Sequence, residues 1–275
     1  MDTIGILRKM TGTLQDGRVS YHLDLEKPVS LTAYVGQVVR LTFLDEKECI
    51  GCGRKIVKTF QQGYCFPCVR SLAACDICIV RPELCHFHLG TCRESEWGEM
   101  HCMKEHVIYL ANTSGLKVGI TRRVNVPTRF IDQGATEALP LFSVKSRYHA
   151  GLMEVLLAKE LSDKTNWRKM LSGSAESLDL PVLAEALKVK MQASLQALSL
   201  THQIDFTELP ASVIRLEYPV QQYPVSVKSV SLDKVSQIEG VLLGIKGQYL
   251  ILSSGVFNVR SFGGYKVRLS LFETI

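Results

Sequence analysis

All nine cysteines of this 275-residue chain fall between residues 46 and 102, and their spacing constrains the fold more than any other feature. Cys49-x-x-Cys52, twelve residues, then Cys65-x-x-Cys68 is the spacing at which two knuckles present four thiolates to one tetrahedral zinc ion. Gly51 and Gly53 admit the tight turn that lets backbone N–H groups approach sulfur. Disulfides are the competing reading, but the opening residues MDTIGILRKMTGTLQDG contain no apolar run of signal-peptide length, which points to a reducing, cytoplasmic setting. A closed site of four thiolates is structural rather than catalytic. The metal is therefore expected to replace a hydrophobic core in this turn-rich segment.

A second zinc is expected from the cysteines that follow. Cys75-x-x-Cys78 is another knuckle, and Cys85, Cys92 and Cys102 accompany it, with His86, His88, His101 and His106 close by. Five thiols and four imidazoles overfill one tetrahedral shell. Spacing leaves the choice open among Cys85, Cys92 and Cys102 first, then His101 and His88.

Residues 1–45 alternate apolar and polar side chains in short runs such as Tyr21-His22-Leu23-Asp24-Leu25, punctuated by Gly12, Asp16-Gly17, Pro28 and Gly36. This is the pattern of short antiparallel strands, and so few of them leave open edges that need partners. The other end of the chain supplies candidates at 212–216, 225–227, 238–243, 248–252, 256–259 and 266–269, with Lys246-Gly247 as a hairpin turn. The two ends are expected to pair and close a β-barrel-like domain. Between them, 106–110 and 117–121 read as a hairpin around Asn112-Thr113-Ser114-Gly115, which brings Tyr109 and Lys117 near each other. Pro127 opens a helix that carries Arg129. Residues 139–144 read as a third strand, and the helical spacing of Leu152, Val155, Leu156, Ala158 and Leu161 turns Glu154 to another side. Residues 163–168 are expected to end or cap that helix. A leucine stripe from Leu180 to Leu198 marks one more.

The stretch KEHVIYLANTSGLKVGITRRVNVPTR, residues 104–129, resembles the GIY-YIG fold, a small α/β domain best known from nucleases. Ile108-Tyr109 matches its first element, Val118-Gly119 its second, Arg129 its helix arginine and Glu154 its later glutamate. Val107 stands where the first element has glycine, and Lys117 where the second has tyrosine. TSGLKVGITRR, RFIDQGATEALPL and DKTNWR together resemble an uncharacterised bacterial family of zinc-binding, GIY-YIG-like proteins over most of the chain. The resemblance implies that Glu154 binds Mg²⁺ or Mn²⁺, that Arg129 contacts the scissile phosphate, and that Tyr109 orients or deprotonates water. It gives Lys117 the part of phosphate ligand or base.

Charge agrees with this placement. Residues 103–175 hold 11 Lys/Arg against 6 Asp/Glu, whereas 1–102 (12 against 12) and 176–275 (9 against 9) are balanced. The whole excess of +5 therefore sits where a polyanion-binding face made of Lys117, Arg122, Arg123 and Arg129 would need it. No stretch approaches the length of a membrane span, and no Gly-rich phosphate loop or dinucleotide fingerprint is present. The expected protein is of mixed α+β class. It comprises a β-rich segment 1–45 pairing with 206–275, a zinc-binding Cys-rich segment 46–102 and a GIY-YIG-like α/β domain 103–205. The expected function is nucleic-acid binding, DNA or RNA, with metal-dependent phosphodiesterase activity. A non-catalytic zinc-stabilised module that binds nucleic acid or protein is the alternative.

Overall fold

A computed structural model describes residues 1–161, 166–173 and 176–272. The N-terminal segment forms β1 (Asp2–Ile6), β2 (Thr11–Gln15), β3 (Arg18–Asp24), β4 (Pro28–Ser30) and β5 (Val38–Lys47). The cysteine-rich segment holds only short 3₁₀ turns and two helices, α1 (Phe66–Ser71) and α2 (Ser95–His101). The hairpin β6 (His106–Asn112) and β7 (Leu116–Arg122) follows, then α3 (Thr128–Asp132), β8 (Glu137–Val144), α4 (Arg147–Ala158), α5 (Trp167–Leu171) and α6 (Leu180–His202). The C-terminal segment adds β9 (Phe206–Glu208), β10 (Ile214–Arg215), β11 (Gln237–Lys246), β12 (Tyr249–Leu252), β13 (Gly255–Asn258) and β14 (Tyr265–Phe272).

Chain ends do meet in one antiparallel sheet, of order β1-β14-β5-β11-β12-β13. The expected barrel does not close: β1 and β13 stay as the two ends of the strand path. Strands β2, β3 and β4 form a sheet of their own, so only β1 and β5 of the first 45 residues pair with the C-terminal strands. Two further expectations are corrected. Strands β9 and β10 join β8 in the central sheet instead of the terminal one. Residues 225–227 form no strand, since Pro224 lacks the N–H a ladder needs and restricts the residue before it.

The central sheet has the order β10-β8-β6-β7, and its β6 is buried along its whole length. One face carries Ile108 and Leu110, packed with Leu139 and Leu141 against Met153 and Leu157 of α4 and Leu187, Met191 and Leu195 of α6. The opposite face carries Val107, Tyr109 and Ala111, which share a continuous core with Phe130 and Ile131 of α3 and with the terminal sheet. A central strand covered on both sides explains the run Val107-Ile108-Tyr109-Leu110-Ala111, apolar without alternation. β7 is left as the sheet edge, flanked by α4. The expected cap of α4 at 163–168 lies partly outside the described residues, and within them Asn166 caps α5, accepting from Arg168 and Lys169 N–H groups. No helix is long and apolar enough to cross a membrane among the described residues.

Candidate functional site

Strand β5 runs directly into the first knuckle. The sulfur atoms of Cys49, Cys52, Cys65 and Cys68 all lie within 4.8 Å of one another. Gly53 takes φ of 71° and its N–H donates to the Cys49 carbonyl at 2.8 Å, closing the turn. The Cys65 N–H donates to Cys49 Sγ at 3.1 Å. Burial opposes ionisation of Cys49, yet N–H groups of Cys65, Cys52 and Gly51 aimed at its sulfur bring the thiol down to about 6. Cys68 moves the opposite way, raised by burial and then by the thiols of Cys65, Cys52 and Cys49. Four such crowded sulfurs cannot all ionise by themselves, whereas a thiophilic dication stabilises all four thiolates. The donor set therefore fits a structural metal such as zinc.

This centre reaches beyond itself through one hairpin. Gln61 and Gln62 have φ of 43° and 67°, a left-handed conformation that non-glycine residues adopt at a cost of about 1 kcal/mol or more. Surrounding contacts hold them there. Gly263 lies so close that a Cβ on it would stand 2.1 Å from the Gln62 carbonyl oxygen. The Gln62 Oε1 accepts from Arg260 Nε at 2.7 Å, which aims that guanidinium into a neighbouring cleft.

The cleft, of about 500 Å³, is lined by Arg122, Arg129, Arg147, Arg260, Glu154 and His101, with Gln62 and Pro82 at its sides. Each arginine has a separate mount. Arg122 ends β7. Arg129 projects from α3; with the Gln133 amide turned so that both its groups are satisfied, Gln133 Oε1 accepts from Arg129 Nε at 3.2 Å and Nη2 at 3.1 Å while its Nε2 donates to Tyr109 Oη at 2.8 Å. Arg147, at the start of α4, donates from Nε to the Cys78 carbonyl at 3.1 Å and from Nη2 to the Ile79 carbonyl at 2.7 Å. Among the described residues none of the four meets a carboxylate at ion-pair distance. Burial, and then the guanidinium of Arg147, lowers the pKa of Arg122; burial, and then Arg129, lowers that of Arg260. Glu154 is half-buried on α4. Burial holds its carboxyl above the usual range even though Arg129, Arg147 and Lys117 pull it down.

Several residues expected from sequence thus come together: Arg122, Arg129 and Glu154 line one cavity, and Lys117 on β7 acts electrostatically on Glu154. Two are not part of the cleft lining. Tyr109 has no exposed surface; it lies under Gly119, where a Cβ would come within 2.7 Å of its hydroxyl. Its hydroxyl braces Gln133 and, through it, Arg129. Arg123 is exposed, pairs with Glu105 at 3.3 Å and is not part of the cleft lining. Arg147, Arg260 and Gln62 were not singled out from sequence, because each arrives from a segment whose pattern speaks of turns or helix starts. Of the remaining cysteines, Cys75 is buried with its thiol raised by desolvation and close enough to feel Cys49 and Cys65, while Cys78, Cys85 and Cys102 pack together in a separate cluster, and Cys92 is half-buried.

A family model described as "Protein of unknown function (DUF2797)" matches residues 36–267. No curated protein and no solved structure matches the chain.

Proposed function

The chain belongs to the DUF2797 family, whose description assigns no function, and from the geometry of its cleft we propose that it binds nucleic acid by the phosphate backbone and hydrolyses a phosphodiester there. The observation that carries the reading is the convergence of four arginines, three of them partly buried, on one cavity that also holds Glu154, with no carboxylate at ion-pair distance from them among the described residues. Guanidinium groups are matched in shape and charge to phosphate oxygens. An anion of two or more charges restores neutrality to a site the protein leaves positive.

The resemblance to the GIY-YIG fold fits this arrangement. Ile108-Tyr109 and Val118-Gly119 lie on adjacent strands in the register Tyr109 opposite Gly119, and the helix arginine and glutamate share the cleft. A divalent cation would supply charge neutralisation at the leaving oxygen and an acidified water. The donor set for it is a single carboxylate amid cations, so Glu154 would hold Mg²⁺ or Mn²⁺ jointly with a substrate phosphate, a common mode for Mg²⁺. Arg129 and Arg147 grip the phosphate, and Lys117 supplies charge from the β7 edge. Tyr109 acts from beneath, as the brace of Arg129. Zinc at Cys49, Cys52, Cys65 and Cys68 is structural and holds Gln62 where it fixes Arg260.

A binding module without hydrolysis is the second reading, favoured by one observation: the tyrosine of the first element is sealed from solvent. One experiment separates them. A panel of single- and double-stranded DNA and RNA is incubated with Mg²⁺ or Mn²⁺ and either wild type or Glu154→Gln, and binding is followed against salt. Cleavage by wild type alone, with salt-sensitive binding by both, is the expected result. Binding without cleavage supports the module, and binding that ignores both salt and Arg129→Ala refutes both readings.

A further inference from the structure

Cys78, Cys85 and Cys102 are 7 %, 4 % and 2 % exposed and are walled by Phe87, Trp97 and Tyr148. The three pack against one another in one cluster. Together with Cys92 these three line a cavity of about 10 Å³, room for one atom-sized occupant. The Cys92 sulfur reaches it past Gly98, where a Cβ would stand 3.1 Å from that sulfur and 2.5 Å from the Phe87 ring. All are free cysteines. Four thiols lining one small void, beside Asp76 and His86, match in number the tetrahedral shell of a thiophilic cation.

We propose that Cys78, Cys85, Cys92 and Cys102 hold a second metal ion of the zinc class, and that this ion fixes Arg147 in the cleft. Asp76 and His86 line the same cavity, and the Cys92 thiol donates to the Glu94 carbonyl at 3.4 Å. Asp76 and His86 come within 4.8 Å of the Cys78 sulfur, but Asp76 accepts from Arg93 Nε at 2.6 Å and from the Cys78 N–H at 3.4 Å. His86 Nδ1 is bonded to Thr91 Oγ1 at 2.7 Å and its Nε2 lies 3.6 Å from Asp76 Oδ2. Cys75, the other half of the sequence knuckle, does not line the cavity.

The connection to the cleft is covalently short. The Arg147 backbone N–H donates to the Cys102 carbonyl at 2.8 Å, and its guanidinium binds the carbonyls of Cys78 and Ile79. Two ligand residues of the proposed ion therefore carry three-point support for Arg147 with Ile79. Val80 and Pro82 of the same loop line the cleft. Metal occupancy and anion affinity are coupled through this loop, and that coupling rests on the cleft's being the anion site; the metal content does not.

The test measures zinc content in the full chain, wild type beside Cys85→Ser, Cys92→Ser, Cys75→Ser, His86→Gln and His106→Gln. His106 is included because its Nε2 is buried without a partner. The first two substitutions should remove one equivalent and leave the Cys49 centre filled, whereas the last three should retain both. Cobalt(II) loaded into Cys65→Ser reports the second site alone, and its sulfur-to-cobalt charge-transfer band should vanish in Cys65→Ser/Cys92→Ser. Should Cys85→Ser not fold, the half-buried Cys92 gives the same readout. A wild type with one equivalent, or loss of one equivalent in His86→Gln or His106→Gln but not in Cys92→Ser, overturns the site. Stripping the second ion should weaken nucleic-acid binding about tenfold, the scale of one charged hydrogen-bond contact. Unchanged binding after its loss overturns the coupling while the metal site stands, and wild-type protein that binds no nucleic acid removes the cleft reading alone.

Discussion

Gly151 sits within α4, where alanine is ordinarily better by about 1 kcal/mol. Here the sign should reverse. A Cβ on Gly151 would stand 2.3 Å from the Glu83 nitrogen and 2.4 Å from the Pro82 carbonyl carbon, both backbone atoms that cannot swing aside as a side chain can. The loop carrying them must retreat by about 1 Å to reach ordinary contact, and overpacking of this kind costs about 1–3 kcal/mol. Retreat also stretches the Arg147 bonds to the Cys78 and Ile79 carbonyls, each of a charged type contributing about 1.5–3 kcal/mol when intact. Setting the propensity gain against a clash at the middle of its range and partial loss of one such bond leaves Gly151→Ala destabilised by about 2 kcal/mol. Urea unfolding should register that loss, and affinity for nucleic acid should fall with it, because Arg147 is displaced. A Gly151→Ala protein more stable than wild type by about 1 kcal/mol, with unaltered binding, would show that the loop and helix are not in the contact on which the cleft's construction depends.

Further outcomes follow from single groups. Tyr109→Phe takes one partner from the half-buried Gln133 amide, so it should cost about 1 kcal/mol in thermal stability and weaken nucleic-acid binding partially; complete loss of cleavage with stability unchanged would mean the hydroxyl serves the reaction itself. Lys246 is 1 % exposed and burial lowers its pKa from 10.5 to about 8. The unfolded chain keeps that proton up to about pH 10.5 while the folded chain releases it near 8, so stability rises with pH between those values. Lys246→Met should accordingly be more stable at pH 7 by up to about 3 kcal/mol, an advantage that chemical denaturation should find gone by pH 10.5; an advantage independent of pH would refute the assignment. Cys65→Ser, or a strong chelator, should release the metal of the first centre and lower the melting temperature by more than any surface substitution, measured by metal content and calorimetry together.

Much of the central sheet was legible in sequence because its signals are local. The Asn112-Thr113-Ser114-Gly115 turn and the apolar runs beside it suffice to set the β6–β7 register, and Pro127 and the leucine spacing of residues 152–161 mark α3 and α4. The four-thiol centre was legible for the same reason, each knuckle being a turn of known geometry. Sheet membership was not. The 206–208 and 214–215 segments pair with β8 through contacts that alternation does not encode, and nothing in a hairpin pattern says whether β1 and β13 will meet. Half of the cleft was hidden likewise. Arg129 and Glu154 could be reached through a motif, but Arg147 is defined by carbonyls of a cysteine loop, and Arg260 by a glutamine held in a left-handed turn. Tyr109 shows the opposite limit: its place in the hairpin was readable, whereas its depth depended on Gly119 and on the terminal sheet packed behind it.

The pairing of β1 with β14 gives the protein a built-in order of assembly. On the ribosome the first strand emerges without its neighbour and must wait for the last to be made, and the cleft waits too, since Arg260 precedes β14 by only a few residues. A nascent or prematurely terminated chain carries the thiol clusters and the hairpin but an incomplete ring of cations.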